Sequence, residues 1–260
     1  MKKIISLFCI LVLAFKFNAQ PPTYDDLLIL YADGNYAKLI KETTKYSEKD
    51  NTKNDAIVYL WMAKAQYKIS FQADRDEDYK NAFKDCFNSI GKFVKKDKEG
   101  KLLEQHMDFI ADVKKTLVES IQNELEAKDY RKAAGWVTKA YKINPNDLGA
   151  KYLEAACKFR NADKGGANQI WKETDKLLMK VTSDEAPKEV KKGEKSEPIL
   201  IKFKDYSDED KELFKIGIFE TAECYISMKQ VEKAKTLLGK VAQWFEGDED
   251  FKAKYDEIVN

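Results

Sequence analysis

Apolar residues along this chain recur three and four positions apart, and no segment sustains the period-two alternation of a strand. Glycine and proline number only 11 and 5 in 260 residues, too few for a turn-rich β architecture. The pattern predicts an all-α protein. A first helical pair is expected at about 24–32 and 36–46, turning through Asp33-Gly34-Asn35. Asp55 opens a helix running to about Ser70, where Val58, Tyr59, Leu60, Trp61, Met62, Ala63 and Tyr67 fill more than one face. Such a helix must be flanked on two sides. Its partner begins near Asp78 and carries Ala82, Cys86 and Phe87. A long helix is expected over about 102–127 and another over 130–143, then two pairs around Ala155 and Ala167 and around Ala222 and Ala234. A short helix over 251–259 closes the sequence.

One stretch breaks the pattern. Residues 183–198 hold Pro187, Gly193, Pro198 and a dense mixture of Lys and Glu, the composition of a mobile loop. An apolar run over 199–204 follows, and Ser207-Asp208-Glu209-Asp210 restarts the helices with a capping signature. The chain therefore divides into residues 1–19, a body over 20–182, a charged insertion over 183–206 and a last pair with a capping helix over 207–260.

The spacing of small residues adds a repeat. Ala133 and Ala167 stand at i and i+34, and each has a bulky residue at i+4 from it, Val137 and Trp171. The run Lys128-Asp129-Tyr130-Arg131-Lys132-Ala133, with Ala140 beyond it and Pro145-Asn146-Asp147 at its end, resembles the second half of the tetratricopeptide repeat. That repeat is a helix–turn–helix with the same period. The resemblance implies a right-handed helical solenoid of about five pairs, each burying its apolar face on the next. Ala63, Ala82, Ala133, Ala155, Ala167, Trp171, Ala222 and Ala234 would then be the packing positions. The likeness is strong over 120–180 and 214–246, weaker over 24–97 and absent over 183–206. Ala82 follows Ala63 at i+19, whereas Ala167 follows Ala155 at i+12, so the second pair turns through a longer loop.

The N-terminus has the layout of a secretory signal peptide: Met1-Lys2-Lys3, an apolar run from Ile4 to Phe15, and a small residue, Ala19, at the expected cleavage point. The run falls short of the roughly 20 residues that span a bilayer. An exported protein, periplasmic or secreted and not membrane-spanning, is expected. Loss of Lys2, Lys3 and Lys16 moves the formal charge from +1 to −2, leaving no basic excess to recruit nucleic acid. Three cysteines remain beyond Cys9: Cys86, Cys157 and Cys224. All lie in expected helices, too far apart for a redox or zinc motif, and read as buried thiols.

Residues for chemistry are scarce. The single histidine, His106, lies in a helical stretch, and no metalloprotease, hydrolase-elbow, Walker or dinucleotide motif occurs. The acidic clusters at 74–78 and 248–250 precede helices and lack the spacing of a calcium loop, so helix capping explains them better. No catalytic residue, cofactor or metal is assigned.

The resemblance also implies where a partner would lie, because ligands of the family occupy a groove lined by the first helix of each pair. Carried over, the groove positions are Leu60, Lys64 and Tyr67, then Val118, Gln122 and Leu125, then Tyr152, Ala156 and Phe159, with Arg160 adjacent. This mixed aromatic and basic strip suits an extended peptide or a partner helix. The family's lysine-and-asparagine grip on a C-terminal carboxylate is unsupported, since its positions here are Leu60, Lys64, Tyr152 and Ala156. The sequence thus points to a non-catalytic exported scaffold for a protein or peptide partner, reaching the envelope through that partner if at all. The alternative is a small-ligand or glycan-binding module using Tyr152, Phe159 and the tryptophans.

Overall fold

The computed structural model describes residues 23–182 and 202–259. The expected leader, residues 1–19, and most of the 183–206 insertion lie outside the described residues. Among the described residues there are twelve α-helices and no strand, so the protein is all-α. They are α1 (Asp25–Ala32), α2 (Tyr36–Glu48), α3 (Ala56–Ser70), α4 (Ala82–Lys96), α5 (Lys101–Gln105) and α6 (Met107–Glu126). Then come α7 (Tyr130–Ile143), α8 (Leu148–Arg160), α9 (Lys164–Thr182), α10 (Asp208–Ser227), α11 (Val231–Val241) and α12 (Glu249–Val259). Sequence neighbours pack as hairpins: α1 with α2, α3 with α4, α6 with α7, α8 with α9, α10 with α11.

Four of these hairpins turn in one way. Gly34, Lys128, Ala162 and Lys229 each take a positive φ, +70°, +56°, +69° and +59°. The next N–H reaches back to the helix before it, from Asn35 to Leu30, Asp129 to Glu124, Asp163 to Lys158 and Gln230 to Tyr225, at 2.8–2.9 Å. This left-handed cap satisfies the carbonyls that a helix end leaves open. The following helix is then capped by a side chain in three of the four, Asn35, Asp129 and Asp163 accepting from Lys38, Lys132 and Gly166. The second hairpin differs, as the wider spacing of Ala63 and Ala82 predicts. Its connection contains a short 3₁₀ turn over Glu77–Tyr79, and the Tyr79 hydroxyl lies 3.5 Å from the Ala37 carbonyl of α2.

The long helix expected over 102–127 is broken. His106 leaves helical geometry at φ −122°, ψ 26°, and its N–H turns to the Leu103 carbonyl. The Asp97 carboxylate holds the short α5 in place by accepting from the Leu103 N–H at 2.7 Å. Phe203 is buried, stacked on Trp244 at 4.7 Å and packed on Phe214 and Phe245.

The core follows the helix order. α8 is shared between two apolar clusters: Ala150, Leu153 and Cys157 face α3–α7, while Leu148, Tyr152, Ala155 and Ala156 face α9–α12. Cys86, Cys157 and Cys224 are free and buried, and burial pushes their thiols up, to about 12 for Cys157 and Cys224.

Candidate functional site

Small residues along α8 and α10 decide which groove positions stay open. Gly149 and Gly217 face each other, and a Cβ added to Gly149 would lie 2.6 Å from the Cα of Phe214. With no side chains at the crossing, α10 lies directly on α8 and also reaches α6. Thr221 reinforces the contact, accepting from the Trp171 indole at 3.0 Å and donating to the Tyr152 carbonyl at 3.2 Å.

Of the expected groove residues near α10, Tyr152 is buried, while Gln122, Phe159 and Arg160 keep partial exposure. Tyr152 has no exposed surface, and its hydroxyl donates to Asp175 at 2.7 Å. Gln122 donates to Glu212 of α10 at 3.3 Å. Arg160 pairs with Glu220 at 3.0 Å and Glu223 at 2.9 Å, and its guanidinium lies 4.9 Å from the Tyr130 ring centroid. Burial raises the Glu220 carboxyl despite the nearby Arg160 charge. Phe159 packs on Trp171. Tyr152, Gln122 and Arg160 thus meet α10, and Phe159 meets α9. The α8–α10 contact is invisible until the two glycines are brought together. The packing positions Ala63, Ala82, Ala133, Ala155, Ala167, Trp171, Ala222 and Ala234 are all buried.

The other end is open. Tyr67 of α3 is nearly buried, its ring against Phe71, Phe83 and Phe109 and its hydroxyl 3.0 Å from Thr116. Lys64, one turn earlier, is only half-buried, and its ammonium faces the rings of Trp61, Phe109 and Tyr31 at 5.0, 5.8 and 5.9 Å. It also lies 3.4 Å from Nδ1 of His106. Lys64 makes no ion pair with any described residue. Burial lowers its pKa, and burial together with the Lys64 charge lowers that of His106. An ammonium can only donate, so Nδ1 of His106 is the acceptor in this contact.

His106 enters this cluster because the helix breaks there, and no glycine or proline announces that break. Tyr31 and Trp61 were legible only as aromatic residues near helix ends and faces. The i, i+3 spacing of Trp61 and Lys64 was the one available signal that they share a surface.

No protein-family model, curated protein or solved structure matches the chain. Among the described residues no helix is long and apolar enough to cross a membrane.

Proposed function

We propose that the protein is a non-catalytic, exported scaffold of tetratricopeptide-like hairpins that binds a protein or peptide partner. The repeat reading is supported by the shared left-handed turns, two of which, at Lys128 and Ala162, stand one repeat period apart, as do Ala133 and Ala167. Export is supported by the leader pattern of residues 1–19. The observation that carries partner binding is the half-buried Lys64, set among aromatic rings and without an ion pair to any described residue. Large apolar side chains stand exposed around it in sequence: Leu28 at 52% lies one turn before Tyr31, and Met107 at 43% follows His106.

A photo-crosslinking residue at position 28 or 107 tests this reading in envelope preparations of the native host. A discrete adduct is expected from both positions and none from position 239, where Gly239 is exposed on α11. Equal labelling from all three positions, or none from any, would remove partner binding from this surface.

A further inference from the structure

We infer that the Lys64 surface takes an apolar peptide segment bearing one acidic side chain, whose carboxylate supplies the counter-ion that Lys64 lacks. The inference rests on the scaffold reading and names the chemistry of its partner. Every element packed around the ammonium contributes a ring: Tyr31 from α1, Trp61 from α3, and His106 and Phe109 from the broken entry to α6. Among the described residues, none contributes a carboxylate to it. Burial raises Tyr31, with Tyr36 and then Asp112 adding to it, while burial alone accounts for the lowered Lys64.

A partly desolvated ammonium without a counter-ion is unfavourable, and ring faces and a neutral imidazole offset only part of that cost. A carboxylate arriving from outside would complete a charge-assisted hydrogen bond in a site already stripped of much of its water. It would also favour the charged form of Lys64. Leu28, one turn before Tyr31, and Met107, next to His106, are exposed and offer such a segment apolar surface. Two other partly buried cations are already matched: Lys114 binds both oxygens of Asp210 at 2.7 Å, and Lys215 binds Glu212 and Asp248 at 3.0 Å. A second acidic partner would gain little there.

The test uses the full mature chain and two probes, acetyl-Leu-Leu-Glu-Leu-Leu-amide and its Gln counterpart. Binding is read from the indole N–H resonance of Trp61, assigned with Trp61→Phe. The Glu peptide is expected to bind at least about tenfold more tightly than the Gln peptide at low salt, one charge-assisted contact being worth about that much. The preference should shrink as salt is raised, and Lys64→Met should abolish it while leaving Gln-peptide binding in place. The salt series on the wild-type chain decides the matter even if Lys64→Met does not fold. Equal binding of both probes would overturn the carboxylate. Failure of both to bind would overturn the inference as a whole, while crosslinking at positions 28 and 107 separately decides whether any partner uses this surface.

Discussion

A carbon added to Gly217 would stand 2.4 Å from the carbonyl oxygen of Gly149. That distance is possible only because neither helix carries a side chain at the crossing, and it fixes how closely α10 approaches α8.

Gly149→Ala and Gly217→Ala are expected to destabilise the protein by about 3 kcal/mol, the upper range for overpacking, because the obstacle is backbone and cannot rotate away. Gly135 and Gly239 lie inside α7 and α11 with nothing within 4 Å of an added Cβ. Alanine there should stabilise by roughly 0.5–1 kcal/mol through helix propensity alone. Denaturant melts of the four variants check both signs; a neutral Gly217→Ala would refute the close approach.

The left-handed turns yield a second set. Ala162, at φ +69°, carries the steric cost of a Cβ in that region, whereas Gly34, at φ +70°, does not. Ala162→Gly should gain roughly 0.5–1 kcal/mol and Gly34→Ala should lose about 1 kcal/mol. Equal and opposite shifts in denaturation midpoint at these two positions would establish that the turns are geometrically equivalent.

Asp147 caps α8 from a buried position, accepting from the Ala150 N–H at 2.9 Å. Burial, with the nearby Asp210 charge adding to it, pushes its carboxyl up to about 6, against the pull of the Ala150 and Gly149 N–H groups and Lys114. A folded value above the ordinary 3.8 means that ionisation works against the folded state. The stability it contributes is full below 3.8 and is lost as the pH rises through about 6. Asp147→Asn keeps the capping oxygen and removes the charge. The variant should therefore gain on wild type at pH 8 and lose that advantage by pH 4, as read by melts at both pH values. A difference independent of pH would contradict the assignment.

Arg160 is expected to act as an internal strut. Arg160→Met leaves Glu220 facing the core without its cation and should cost about 2 kcal/mol, less than a fully buried pair because both side chains keep some water contact. Adding Glu220→Gln should restore part of the loss. Crosslinking yields at positions 28 and 107 should be unchanged in the folded variant.

Helix existence was legible because the apolar period is strong, and the helix expected over 130–143 runs from Tyr130 to Ile143. The longer second turn could be counted from two alanines. The break at His106 could not, because no helix-breaking residue marks it. The burial of Tyr152 was illegible for a related reason. Positions on a first helix face outward only if the next hairpin leaves them uncovered, and that depends on Gly149 meeting Gly217 from a distant part of the sequence. Local pattern carries no such information. Lys64 stood out from the groove register alone, yet its rings and imidazole come from three separate segments.

The double allegiance of α8 has a kinetic meaning. A helix whose opposite faces belong to different apolar clusters cannot open until both let go, whereas α1 and α12 each lean on the fold from one side. Amide protons in the middle of α8 should then be among the last to exchange with solvent, and those of the two terminal helices among the first.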